Sequence, residues 1–279
     1  MGAAPMSACG AGEVLWEAAN AGNTAEVTRL VESGAPVNWP GKALGQTPLM
    51  RAAEEGHVAS MRVLLDRGAD PNAKDNDGRT ALFMAAANDR ADASAMLLDH
   101  GADSEAKDNA GWTALITAAH WKHADVMSVL LDHGADSEAK DNDGRTALVL
   151  AAYCGSKDAM LVLLAHGADP NAKGNDGRTA LFAAAYCHNV DTMSVLLDHG
   201  ADPNAKDKDG RTALFVAAYC GNKDAMLVLL DHGADPNAKD NDGCGVASEC
   251  SDVGCRALLL NAERMQRWHR RRRLILWLV

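Results

Sequence analysis

One glycine recurs every 33 residues, at Gly78, Gly111, Gly144, Gly177, Gly210 and Gly243, with Gly45 one step earlier. From Gly78 to Gly210 each ends a variant of the stretch "AKDNDG" and precedes a variant of "RTAL": intact at 73–82 and 139–148, altered at 106–115, 172–181 and 205–214. A fixed period of this length decides the architecture before any local propensity does. Six complete units run from Gly45 to Asp242.

Within the unit 210–242, Thr212 is predicted to cap a short helix ending near Tyr219 and Cys220. In the first unit Thr47 is followed by Pro48, and proline is tolerated directly after a cap. A second helix is predicted from Lys223 to His232. Its apolar residues Ala225, Met226, Val228, Leu229 and Leu230 are dense enough for it to be mostly buried. Gly233 should end it in the left-handed conformation. A histidine precedes that glycine in five units (His100, His133, His166, His199, His232), where a cationic ring would suit a helix C-terminus. Helices this short cannot stand alone. They must stack unit on unit, so that stability accumulates from neighbouring interfaces. Only 4% of residues are aromatic while 47% are hydrophobic, so the core is expected to be Ala, Leu, Val and Met.

The period, "GQTPLMRAAEEGH" at 45–57 and "VLLDRGADPNAKDNDG" at 63–78 resemble the ankyrin repeat family. The resemblance implies an all-α ankyrin-repeat solenoid of stacked helix pairs joined by β-hairpin loops. The family's Thr-Pro-Leu-His departs here: the His position is Met50, Phe83, Ile116, Val149, Phe182 or Phe215.

The ends follow the same register. "LWEAANAGNTAEVTRLVESGAPVN" at 15–38 matches a unit from its first helix onward, and the junction from Asn38 to Gly45 is one residue longer than that from Asn72 to Gly78. Residues 11–44 are therefore read as an N-terminal capping unit behind a flexible 1–10. Residues 243–264 are read as a worn C-terminal capping unit, in which Cys250 and Ser251 replace Ala-Ala and "CRALLL" at 255–260 takes the place of the second helix. Residues 265–279 form a basic and apolar tail.

The tip looks like a calcium loop, but the ligand pattern fails. With Gly78 at position 6, position 1 is Ala73 and position 12 is Met84, where acids are needed. Asn-Asp-Gly supplies positive-φ residues for a tight turn. Cys154, Cys187 and Cys220 are equivalent positions on neighbouring units, which stacking holds roughly 8–10 Å apart. That is too far for a disulfide or a shared zinc. Cys244, Cys250 and Cys255, with His269, show no paired Cys-x-x-Cys spacing. No phosphate loop, nucleophile elbow or His-Glu helix motif is present. No enzyme activity, cofactor or metal is expected.

Net charge is −11, from 27 Lys and Arg against 38 Asp and Glu. Residues 243–279 hold seven Arg and three acids, +4, which leaves 20 bases and 35 acids, −15, for the rest. An acidic body argues against nucleic-acid binding through the repeats. The start fits neither a secretory signal nor the myristoylation pattern, and no apolar run approaches the roughly 18 residues of a membrane span. Seven cysteines, an odd number, suit a reducing compartment. The chain is expected to be intracellular, in the cytoplasm or the nucleus.

The resemblance implies that a protein partner of unknown identity meets the hairpin tips and the exposed side of the first helix. Carried over by position, the residues after the tip glycine are Gln46, Arg79, Trp112, Arg145, Arg178 and Arg211. Those ending the first helix include Glu54, Asn88, His120 with Trp121, Tyr153, Tyr186 and Tyr219. The expected partner-binding set is Arg79, Trp112, His120, Trp121, Arg145, Tyr153, Arg178, Tyr186, Arg211 and Tyr219, with the composition of interface hot spots. Duplication alone could have copied the tyrosines, and both origins stay open. It does not explain Trp112, His120 and Trp121. The alternative is a targeting adaptor whose tail, "RMQRWHRRRRLILWLV" at 264–279, contacts the nuclear import machinery or an anionic membrane.

Overall fold

The computed structural model describes residues 8–41, 44–250 and 253–262. It comprises two units, one up to Asn142 and one from Asp143. The first holds α1 (Ala8–Asn20), α2 (Thr24–Glu32), α3 (Pro48–Glu55), α4 (Val58–Asp66), α5 (Ala81–Ala87), α6 (Ala91–Asp99), α7 (Ala114–Trp121) and α8 (Ala124–Asp132). In it α1, α3, α5 and α7 pack in one row and α2, α4, α6 and α8 in another. The second holds α9 (Ala147–Cys154), α10 (Lys157–Ala165), α11 (Ala180–Tyr186), α12 (Val190–Asp198), α13 (Ala213–Tyr219), α14 (Lys223–Asp231) and α15 (Val246–Glu249), then a helix over 253–262. There α9, α11, α13 and α15 form one row and α10, α12 and α14 the other. Among the described residues no helix is long and apolar enough to cross a membrane. The basic tail and most of the expected flexible N-terminus lie outside the described residues.

The first helices are buried on nearly every side. In α7 the residues Ala114 to Ala119 are all buried, because small alanines let neighbouring helices approach closely while one Leu per helix fills the space between. The second helices bury a single stripe, such as Val126, Met127, Leu130 and Leu131 of α8.

The predicted caps are present. Thr80, Thr113 and Thr212 Oγ1 each accept from the backbone N–H three residues on, at 3.3 Å. In the first complete repeat the Met50 sulfur lies 3.3 Å from the Thr47 N–H. A weak acceptor thus persists at a position that reads as apolar in sequence. Thr146 departs: its hydroxyl is buried with no hydrogen-bond partner. At the other end, Nδ1 of His100, His133, His166, His199 and His232 lies 2.8 Å from the carbonyl four residues earlier. An Nδ1–H donates there without needing the ring to be charged.

The joining loops are hairpins reduced to their tips, and among the described residues one isolated bridge, Lys239 with Gly245, stands for the strands. At the tip that ends in Gly78, Asp75 N donates to Arg79 O at 3.0 Å and Gly78 N to Asp75 O at 3.0 Å. The Asp75 carboxylate, almost fully buried, accepts from the N–H groups of Asp77 and Arg79, both at 2.9 Å. Asp108, Asp207 and Asp240 do the same in their loops. The acids that suggest an ion site in sequence are engaged in holding the turn.

Each tip is hydrogen-bonded to the one before it. Asn76 N donates to Leu44 O and Asn109 N to Asp77 O; in the second unit Asn175 N donates to Asp143 O, Lys208 N to Asp176 O and Asn241 N to Asp209 O, all at 2.9–3.0 Å. The asparagine amides add a second bond, from Asn109 to Asn76 O and from Asn241 to Lys208 O. Lys side chains extend the ladder: Lys74 Nζ donates to Lys107 O, and Lys206 Nζ to Lys239 O. Asn72 and Asn204 brace the helix ends. Each donates to the next repeat's terminating glycine carbonyl and accepts from the N–H two residues beyond it.

The ladder distinguishes two kinds of glycine. Gly68, which ends α4, has φ +85° and open space beyond it, whereas Gly78 has φ +79° and a Cβ there would meet Asn109 Oδ1 at 2.8 Å. Gly68→Ala is expected to lose about 1 kcal/mol from backbone strain alone, and Gly78→Ala at least about 1 kcal/mol more, read as urea midpoints. Equal losses would contradict the tip-to-tip contact. Thr113→Val should lower stability by about 1 kcal/mol. Thr146→Val should be neutral or stabilising, because its hydroxyl is already unpaired.

Candidate functional site

Each arginine after a tip glycine folds back onto its own loop. Arg79 lies 2.9 Å from Asp75 and 2.8 Å from Asp77. Arg211 lies 3.1 Å from Asp207 and also pairs with Asp209. Arg145 lies 2.9 Å from Asp143. These three are anchored at the tip, with about a quarter to a third of each side chain left accessible.

Arg178 differs, because the aspartate of its loop is replaced by Gly174. Gly174 N still donates to Arg178 O at 2.9 Å, but the turn-holding carboxylate is missing. Asp176 substitutes in part by accepting from Arg178 N at 3.0 Å. The guanidinium is left 3.3 Å from Asp176 and 3.9 Å from Asp207, its Nε buried without a hydrogen bond. It lies over the Phe182 ring, 4.9 Å from the centroid, a cation–π arrangement.

In the first unit three rings converge at the end of α7. Trp112 occupies the tip position where arginine stands elsewhere, and its N–H bonds Asp108 at 2.8 Å. Its ring lies 5.0 Å from that of His120, which meets Trp121 edge-on at 5.1 Å. The three form one aromatic patch, with Trp121 56% exposed. The patch arises because helix periodicity places His120 over the tip and Lys122 in the left-handed conformation turns the chain just beyond Trp121.

In the second unit Tyr186 and Tyr219 end α11 and α13 and are strongly exposed, while Tyr153 at the end of α9 is half-buried. A groove of about 220 Å³ runs between the later pair, lined by Arg178, Phe182, Tyr186, Arg211, Phe215 and Tyr219. Cys154, Cys187 and Cys220 are half-buried thiols beside the tyrosines. Burial pushes the Cys187 thiol up, and the neighbouring Cys154 and Cys220 add to it; burial does the same to Cys220. Raised thiols are poor nucleophiles at neutral pH.

The structure thus brings Trp112, His120 and Trp121 together in one unit, and Arg178, Tyr186, Arg211 and Tyr219 around one groove in the other. Arg145, Tyr153 and Arg178 line a second groove of about 460 Å³ with Lys208, a residue absent from the sequence-derived set. The signal was available: Lys208 stands where the other "AKDNDG"-type tips carry Asn. Arg79 is tied to its own aspartates, Asp75 and Asp77.

A cleft of about 390 Å³ at the start of the chain was also not anticipated. The one-residue insertion carries Trp39, whose ring covers Gly12 so closely that a Cβ there would sit 2.3 Å away. Trp16 lines the cleft with the Arg51 guanidinium over its ring at 5.2 Å.

The family described as Ankyrin repeats (3 copies) matches residues 15–108, 103–174 and 170–240. The chain is 48% identical to the mitochondrial disaggregase of Bos taurus over 62 residues, which is 22% of this chain and 9% of that protein. The figures are the same for the mitochondrial disaggregase of Homo sapiens. It is 43% identical to the ankyrin repeat protein nuc-2 of Neurospora crassa over 58 residues, 20% of this chain and 5% of that protein. The chain therefore spans less than a tenth of the length of these relatives, and each shared stretch is worth about two 33-residue units. With the family matched across most of its length and the tip, cap and helix-pair geometry in place, this chain belongs to the ankyrin repeat family.

Proposed function

We propose that this chain is a non-catalytic, intracellular scaffold or adaptor that binds one or more proteins through its tips and the exposed ends of its first helices. Ankyrin repeats bind protein partners in general. The observation that carries the reading is the ring cluster of Trp112, His120 and Trp121. Water-exposed tryptophan is costly to maintain, and an exposed Trp supported by two further rings is a preformed anchor. It occurs in a single repeat, so copying of one unit does not account for it. In the second unit the same positions carry Tyr153, Tyr186 and Tyr219 with Arg145, Arg178 and Arg211. These are amphipathic groups suited to a partly polar interface, and Arg79 extends the set in the first unit.

Two features support a binding role over a catalytic one. The tip carboxylates are occupied in holding turns and arginines, and burial pushes the Cys187 and Cys220 thiols up, away from the thiolate. Neither set is poised as an acid, base or nucleophile.

Affinity capture followed by mass spectrometry tests the reading. Trp112→Ala, Trp121→Ala and Tyr153→Ala together are expected to lower recovery of the main partner at least tenfold. Helicity should be unchanged, since Trp121 is mostly exposed and none of the three lies in the fully buried core. Undiminished recovery would contradict the assignment of this surface.

A further inference from the structure

Two residues of the second unit depart from the repeat in ways that weaken the stack and change charge in the same direction. Gly174 replaces the aspartate that accepts two backbone N–H groups at Asp75, Asp108, Asp207 and Asp240. The fold does not demand a glycine there. Its φ is not in the left-handed region, and an added Cβ would sit closest to the movable Asp176 carboxylate, at 3.1 Å, with the Asp143 and Arg178 carbonyls at ordinary contact distance. Lys208 replaces the asparagine whose side-chain amide bonds the preceding tip at Asn109, Asn142 and Asn241. Lys208 keeps the backbone bond to Asp176 O but gives up that amide, and its side chain is exposed.

Each departure costs at least one hydrogen bond and shifts the local charge by +1 relative to the repeat, Gly174 by removing a carboxylate and Lys208 by adding an ammonium. Both act on the same groove of about 460 Å³, lined by Arg145, Arg178 and Lys208, by Asp143 and Asp176, and by Tyr153. Three cations and two carboxylates line it, on a chain whose net charge is −11; Asp207, 3.9 Å from Arg178, is already paired with Arg211. Arg178, deprived of its own aspartate, holds a buried Nε with no hydrogen bond. Surrender of stacking bonds in exchange for charge at one place is the signature of a residue kept for binding rather than stability.

We propose that this groove is an anion-binding subsite that takes the carboxylate side chains of an acidic segment of a protein partner. The proposal rests on the protein-binding reading above and supplies the chemistry of one contact. Arg145 and Arg178 present planar guanidinium groups, which grip carboxylates better than single ammonium charges do. Lys208 adds a third cation to the lining, and the Tyr153 hydroxyl is a further donor.

The test uses the full chain and a fluorescein-labelled octa-glutamate peptide, titrated by anisotropy at low ionic strength. Lys208→Asn and Gly174→Asp each restore the residue of the other repeats, so both variants are expected to fold at least as stably as the parent. Each should weaken peptide binding about fivefold, and the pair more than either alone, as expected for one opposed charge at close range. Arg62→Gln, which removes an exposed cation on α4, should leave affinity unchanged and so separates the groove from net charge. An octa-lysine peptide, which the net charge of −11 attracts elsewhere on the chain, should not lose affinity in either variant. Inorganic phosphate should compete only at concentrations well above that of the peptide.

Three results would overturn the proposal: no binding of the glutamate peptide, equal losses in Arg62→Gln and Lys208→Asn, or phosphate displacing the peptide at equal concentration. Because the probe is synthetic, such a failure removes the anion subsite and leaves the protein-binding reading intact. That reading stands or falls on partner capture by the tryptophan variants.

Discussion

The carboxylate that closes most hairpin tips, at Asp75, Asp108, Asp207 and Asp240 but not at Gly174, is the interaction from which the register of the stack is built. Asp75 accepts two backbone N–H groups and the Arg79 side chain within five residues. A charge-assisted bond of this kind contributes about 1.5–3 kcal/mol when its partners are otherwise buried. By closing the turn, the carboxylate aims the next residue's N–H at the carbonyl of the preceding tip. That one bond sets the register between neighbours. Helices of seven to nine residues have no stability of their own, so within each unit the register of the tips decides whether the alanine faces meet. The left-handed glycine beside the carboxylate belongs to the same device, because a side chain there would collide with the next tip.

Much of this was legible in the sequence, and the reasons divide cleanly. The 33-residue glycine period, the threonine caps and the helix-ending glycines are local or periodic signals, and they are found where expected at Gly78, Thr113 and Gly68. What the sequence did not reveal depends on contacts between repeats. The aspartates read as a turn with a failed calcium pattern, but their bonds to the backbone require knowing how the loop closes. The bracing by Asn72 and Asn204 requires knowing which helix end lies beside them. The arginines after the tip glycine look like a projecting row, yet most are folded onto aspartates two or four residues away. Thr146 has the sequence of a cap and lacks the bond. Met50 reads as apolar and still offers its sulfur to Thr47. The cleft beside Trp39 depends on a close approach to Gly12 that no spacing rule signals.

The functional surface becomes visible as departure from the repeat. Where the repeat is kept, the polar groups of the tip have structural tasks. Where it is broken, the replaced residue gives up that task and faces solvent. Trp112 replaces an arginine and joins an aromatic cluster at the end of α7. Gly174 replaces an aspartate and Lys208 an asparagine, and both leave the tip less well bonded and more positive. A repeat protein can bear such losses because its stability is summed over many similar interfaces. One weakened tip lowers the total without abolishing the stack. The array thus supplies a stable background on which a few positions are free to carry recognition.

The tip-to-tip bond is the claim from which all of this follows, and amide hydrogen exchange measures it directly. Protection at Asn109, Asn142, Asn175, Lys208 and Asn241 should approach that of the flanking helices, since each N–H donates to the preceding tip. Exchange at these amides as fast as in a free loop would show that the tips do not pair, and would remove the basis for the register described here.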